Sequence, residues 1–397
     1  MKNSGEIKET SESSLINEAA ASRLEAEVED TLKKTAGHMA QAAEYARTDR
    51  LWPAQELVFT TNPLSLAYGA CGPALFLRFS GALLEFPDDI SVWMKNRRIS
   101  VDDYPPGLYI GLAGIASTFH EVGMPEEAEE AMDVLYQSPL LYEESNVFLG
   151  AAGWGIASLH LYSQTEKQNY LDWAVRCGEH ILQAAQQEGE TCFWPCNSDG
   201  RIHYGFGYGA SGIGLFLLYL YRATDRADFC NAAIQALEYD LANRFESDVG
   251  WLWSRFEGDN LVRPYWMQGS AGVGSVAIRF FRFLGIDKYL SVAQRIADDA
   301  FIKYTVNPGL FSGLTGIAEF MLDMFRFTGH EEYRGRALDM ADTILRFKID
   351  RPDGVAWPDR WLRQISYDYS SGGSGIGLFF SRLVSLHDRP LLDLGGS

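Results

Sequence analysis

The strongest constraint on this chain is a four-residue pattern, Gly-x-x-Gly, that occurs seven times. The copies begin at Gly69, Gly111, Gly150, Gly209, Gly269, Gly313 and Gly372. These first glycines lie 42, 39, 59, 60, 44 and 59 residues apart. Each copy leads into small residues and an apolar run, as in Gly209-Ala210-Ser211-Gly212-Ile213-Gly214 before residues 215–221. Self-similarity on this scale marks a repeat architecture. Between copies lie amphipathic segments at 126–136, 168–187, 227–244, 288–304 and 331–347. In the second of these, Leu171, Ala174, Val175, Gly178, Ile181 and Leu182 keep a helical apolar spacing. A helix that is apolar all round must be buried, whereas an amphipathic one faces solvent on one side. Seven such pairs predict an all-α fold, an (α/α)7 double toroid of seven inner helices within seven outer ones. An open solenoid would need polar capping repeats, and the last run, 376–386, is as apolar as the middle ones.

Residues 1–14 are polar and are expected to form a disordered tail. Residues 15–50 carry Leu24, Val28 and Leu32 at helical spacing and predict a helical lead-in. The barrel is expected over 51–392. The net charge of −19 argues against nucleic acid and anionic membranes as main partners. No apolar run reaches membrane-spanning length, and the first residues lack a signal-peptide core. Five cysteines in so long a chain read as reduced thiols, so a cytoplasmic protein is expected.

The long gaps between glycine motifs carry more information. Trp194, Trp253 and Trp357 precede their glycine motifs by 15, 16 and 15 residues. Each intervening stretch contains a turn signal, at 198–200, 257–260 and 358–360. These predict hairpin-like excursions at the end where the inner helices begin. Loops on a rigid scaffold usually carry function, so Trp194, Trp253, Trp266, Trp357 and Gln268 are the expected substrate-contacting residues. Seven helix N-termini at that end are expected to offer unpaired N–H groups and a positive dipole.

The register of these motifs, with Gly107-Leu108-Tyr109-Ile110-Gly111-Leu112-Ala113-Gly114 as a typical copy, resembles the lanthionine synthetase C-like cyclases over residues 50–390. The resemblance implies the double toroid. It also implies addition of cysteine thiols to dehydroalanine or dehydrobutyrine in a precursor peptide, which closes thioether rings. In the zinc-dependent members a Trp-Cys pair precedes the fifth glycine motif and a Cys-His pair the sixth. This chain has Trp266-Met267 and Phe311-Ser312 there. The family histidine before the fourth glycine motif is Tyr208, and the aspartate four residues before the third is Asn146. The family arginine ahead of the first zinc cysteine is kept as Arg263. The pattern is similar to the zinc-free cyclase domains of class III kinase–cyclases, which follow lyase and kinase domains. About 50 residues precede the barrel here, too few for either. The expected partners are therefore a precursor peptide and a separate kinase or lyase.

No metal or other cofactor is expected, because Met, Phe and Ser cannot hold Zn²⁺ in Cys₂His geometry. Cys192, Cys196 and His203 have a permissible ligand spacing, but the sequence shows no fourth ligand. Without zinc, a thiolate needs positive potential and a base. Arg263 is the candidate cation, Tyr208 the proton donor, and Asp368 a base or orienting group. Asn146 completes the candidate set. Each has a plainer reading: an ion pair for Arg263, a wall residue for Tyr208, and caps for Asn146 and Asp368. Two other functions fit the same residues. One is a non-catalytic peptide-binding or scaffold subunit. The other is a carbohydrate-active barrel, which would need two opposed carboxylates drawn from Glu143, Glu144, Asp199, Asp359 and Asp368.

Overall fold

The computed structural model describes residues 18–394 apart from 103, 248 and 249. The expected tail at 1–14 lies outside the described residues. Helix α1 (Glu18–Gln41) and the single turn α2 (Leu57–Thr60) come first. The inner helices are α3 (Cys71–Phe79), α5 (Leu112–Glu121), α7 (Ala151–Thr165), α9 (Ala210–Thr224), α11 (Ser270–Leu284), α13 (Leu314–Thr328) and α15 (Gly373–Ser385). Between them run α4 (Asp88–Lys95), α6 (Pro125–Leu135), α8 (Gln168–Ala184), α10 (Ala227–Ala242), α12 (Asp287–Ala300) and α14 (Glu331–Leu345). Each inner helix packs against the next, and α15 packs against α3, so the ring is closed. The expected lead-in is part of that ring: α1 lies against α15 and α14 and is the outer partner of the last inner helix. Leu24, Val28, Leu32, Ala36 and Met39 are its buried stripe.

The glycines have a steric reason. In each motif the first helical turn is crossed by the loop that precedes it. A Cβ on Gly114 would lie 1.9 Å from the Leu108 carbonyl oxygen, and one on Gly212 would lie 1.9 Å from that of Phe206. Gly153, Gly272, Gly316 and Gly375 face the carbonyl six residues back in the same way, at 2.1 to 2.3 Å. The crossing also uses the helix donors. Leu112, Ala151, Ala271, Leu314 and Gly373 each donate their N–H to the carbonyl seven residues earlier. The first turns of these helices are therefore occupied, and the expected row of unpaired N–H groups is not there.

Two residues before each motif, the loops join one another. Ala67 N–H donates to Tyr109 C=O (2.8 Å), Tyr109 to Phe148 (3.4 Å), Phe148 to Gly207 (3.0 Å) and Gly207 to Met267 (2.8 Å). Met267 then donates to Phe311 (3.1 Å), Phe311 to Ser370 (2.8 Å), and Ser370 back to Ala67 (3.1 Å). The result is a closed circuit of backbone hydrogen bonds around the barrel axis. Tyr109 plugs its centre, with ring centroids 5.1 to 6.4 Å from Phe148, Phe206, Trp266, Phe311 and Tyr369.

The opposite end is closed by charge. Arg279 meets Asp323 at 2.8 Å and Asp393 at 2.7 Å, and Arg382 bonds Glu319 and reaches Asp323 at 3.0 Å. Arg389, from the segment after α15, lies 3.6 Å from Asp323 and stacks 4.1 Å from the Trp266 ring centre. Burial alone would raise the Asp323 carboxyl, but Arg279, Arg382 and Arg389 outweigh it and hold it far below its ordinary range.

The excursions are present as short antiparallel sheets: β1 (Gln186–Glu188) with β2 (Thr191–Phe193); β3 (Phe245–Ser247), β4 (Gly250–Ser254) and β5 (Val262–Arg263); and β6 (Ile349–Arg351) with β7 (Gly354–Ala356).

Three outcomes are expected. Gly212→Ala should cost roughly 1–3 kcal/mol by overpacking. Gly335→Ala, in α14 with nothing within 4 Å of a built Cβ, should instead stabilise by about 0.5–1 kcal/mol; chemical denaturation separates the two. Asp323 has a folded pKa below its unfolded one, so its contribution is present above pH about 4 and is lost as pH falls below it. Asp323→Asn should cost roughly 3–5 kcal/mol at neutral pH and flatten the acid side of a stability–pH curve.

Candidate functional site

The loops above the backbone circuit enclose a cup of about 160 Å³. Its wall repeats with the motifs. The residue just before the first glycine supplies Tyr68, Tyr208, Gln268, Ser312 and Ser371, and the one before that supplies Phe148, Met267, Phe311 and Ser370. Gln55, Asn307 and Arg360 complete it. No carboxylate lines this cup among the described residues. Burial pushes the Tyr68 phenol up to about 12 and the Tyr208 phenol higher still, so both stay hydrogen-bond donors at any working pH.

The expected site residues divide sharply. Tyr208 and Gln268 line the cup. Asp368 does not. It is buried, and its carboxylate accepts the N–H groups of Ser371 (2.8 Å) and Gln55 (3.2 Å) together with the Ser366 hydroxyl. It holds the last loop to the segment after α1, and its oxygens are taken up in that joint instead of facing the cup. Asn146 also caps: its side-chain oxygen accepts from Leu149 N–H (2.9 Å) and its amide donates to Glu144 (3.2 Å). Arg263 sits on β5 opposite Trp253, away from the wall. Its charge acts on the loop carboxylate Asp259, which is lowered first by its Arg255 hydrogen bond.

The tryptophans are not wall residues. Trp194 and Trp253 are buried, and their indole N–H groups donate to Ile181 and Asp240 carbonyls in the last turns of α8 and α10 (2.9 and 2.6 Å). Trp52 makes the same bond to Met39 of α1 (2.8 Å). Trp357 donates to the Thr35 hydroxyl, at 3.1 Å. Their regular spacing therefore records how hairpins clamp outer helices. Trp266 lies one layer below the cup, against Phe206 and Arg389.

The sequence reading missed Arg360 as the cation of the wall, and Tyr68, Asn307 and Ser312 as its further donors. The fixed offset of the wall residues from each glycine motif was the available signal.

The zinc of the metal-dependent family members can be tested against the side chains present here. Met267, Phe311 and Ser312 do stand together on the cup wall. They offer one thioether, one phenyl ring and one hydroxyl, and Met267 Sδ is packed where Gly207 leaves room. This set does not fit zinc. Elsewhere, Cys192 turns its Sγ to the Ala232 carbonyl, while Cys196, Asp199 and His203 bring ligand atoms within 4.8 Å of one another. These groups are already engaged, His203 Nε2 with Asp199 (3.0 Å) and Cys196 with Ser198 (3.1 Å). His203 Nδ1 meets the Gln268 amide at 3.3 Å, which connects this cluster to the wall.

A family model described as Lanthionine synthetase C-like protein matches residues 60–393. The chain belongs to that family. "Probable SapB synthase" of Streptomyces coelicolor is 28% identical over 344 residues, 84% of this chain and 36% of its own length. The chain thus spans about a third of that relative. The structure of "Nisin cyclase" superposes with a TM-score of 0.63 at 16% identity, covering 83% of this chain and 92% of its own. The GH76A α-1,6-mannanase from Salegentibacter sp. HEL1_6 superposes at 0.55 with 14% identity over 91% and 99%. At these identities both show the shared fold and no more. No described helix is long and apolar enough to cross a membrane.

Asp368→Ala should lower stability by roughly 1–3 kcal/mol, because two buried backbone donors lose their acceptor. A thermal melt unchanged from wild type would remove the capping role.

Proposed function

We propose that this protein is a zinc-independent lanthionine cyclase-like protein acting on a dehydrated ribosomal peptide. The observation that carries this is the wall of the cup. It includes the family's zinc-ligand positions, where Met267, Phe311 and Ser312 now stand, and it sets neutral donors and one arginine beside them. The likeness to SapB synthase and to nisin cyclase supports a peptide as substrate.

In the proposed step a peptide cysteine loses its thiol proton to water at the mouth. Its sulfur forms a bond to the β-carbon of a dehydro residue. The double-bond electrons move to the amide oxygen, and the α-carbon then takes a proton. Tyr68, Gln268, Asn307 and Ser312 can donate hydrogen bonds to the developing oxyanion, and Arg360 contributes permanent positive charge. Tyr208, on the same wall, passes a proton to the α-carbon in this proposal and recovers one from solvent. Without a carboxylate or imidazole on the wall, thiol ionisation follows the substrate's own pKa of about 8.5.

A second reading, a non-catalytic peptide-binding subunit that partners a separate kinase or lyase, draws on the apolar replacements Met267 and Phe311. The carbohydrate reading has less support, since Asp359 and Asp368 serve as loop caps and the wall carries no carboxylate pair.

The test is ring closure on a dehydrated precursor. The rate should rise with pH up to about 8.5 and be unaffected by zinc chelators, with no stoichiometric zinc by elemental analysis. Tyr208→Phe should lose roughly 10²–10³ in rate. Precursor binding without ring closure above the spontaneous rate would establish the scaffold reading instead.

A further inference from the structure

The cup opens sideways into a larger groove of about 440 Å³, within the usual range for ligand sites. The two share Gln55 and Arg360. The groove runs between α2 and the loop 359–364, and is lined by Glu56, Leu57, Thr60, Asp359, Trp361, Arg363 and Gln364 besides those shared residues. Two features distinguish it. First, its cations are free: neither Arg360 nor Arg363 makes an ion pair among the described residues, in a chain of net charge −19. The two carboxylates of the lining, Glu56 and Asp359, make no ion pair with either guanidinium among the described residues, and Asp359 turns one oxygen to the backbone N–H groups of Trp361 (3.0 Å) and Arg363 (2.9 Å). Second, its apolar groups stand out in solvent. Trp361 is 63% exposed and Leu57 39%, with the Arg360 guanidinium 4.6 Å from the indole centre. Leu362 holds a left-handed backbone at φ +57° between them, a conformation that a branched side chain adopts only when its surroundings impose it.

We infer that this groove binds the flanking segment of the peptide whose reacting residues occupy the cup, and that this segment carries acidic side chains beside apolar ones. The identity of the occupant rests on the proposed function, since a peptide held in the cup must leave it along the chain. Two guanidiniums recognise carboxylates, and an exposed indole with a leucine takes the apolar neighbours.

The test reads binding alone, so it stands apart from ring closure. Two short fluorescent peptides serve as probes, one of Glu, Leu and Gly and one of Lys, Leu and Gly, measured by anisotropy on the full chain. The acidic probe should bind roughly tenfold tighter or better, which is about 1.4 kcal/mol, and should weaken as salt rises. Arg363→Glu should abolish or reverse that preference, and Trp361→Ala should weaken the acidic probe. Arg346→Glu, at the exposed C-terminal cap of α14, should leave binding as in wild type. Thermal melts check that each variant is folded. Equal binding of both probes, or an unchanged preference in a folded Arg363→Glu protein, overturns the inference. Groove binding without ring closure would leave it standing and refute only the cyclase reading.

Discussion

The barrel depends on one closed circuit of backbone hydrogen bonds. Seven loops, one from each repeat, donate to the next in turn, from Ala67 through Tyr109 and onward to Ser370 and back. Each bond contributes only about 0.5–1.5 kcal/mol net, but the circuit fixes geometry as well as energy. It sets how many repeats can be accommodated, because the last loop must meet the first. It also pairs the polar backbone beneath the cup, which allows an aromatic plug around Tyr109 to separate cup from ion cluster without stranding the backbone donors of the circuit.

The glycines follow from that circuit. A loop can reach its neighbour only by crossing the first turn of its own helix, and the crossing leaves no volume for a methyl group at Gly114, Gly212 or Gly316. The same crossing takes up the helix N–H groups. An arrangement that looks in sequence like seven open anion sites is therefore a set of sealed joints, and the polar character of the cup comes from side chains at fixed offsets instead.

This explains what was legible and what was not. The toroid, its seven pairs and its hairpins could be read because period and apolarity are local properties of sequence. Tyr208 and Gln268 could be placed because they adjoin a motif. Asp368, Asn146 and the tryptophans misled, because residues that hold a loop in place recur with the same regularity as residues that line a site. Arg360 was missed because its position depends on a loop that folds back onto α2. The role of α1 was hidden for a related reason, its partner α15 being more than three hundred residues away.

That last pairing has a consequence for how the molecule is made. Helix α1 is made before the other helices of the barrel, yet the surface that covers Val28, Ala36 and Met39 is completed only by α14 and α15. Until then its apolar stripe has no native cover, and contacts of such long sequence separation form slowly. An open array of repeats could fold stepwise from its first unit as it emerges. This barrel cannot, and while it is being made it carries an exposed hydrophobic helix until α14 and α15 have emerged.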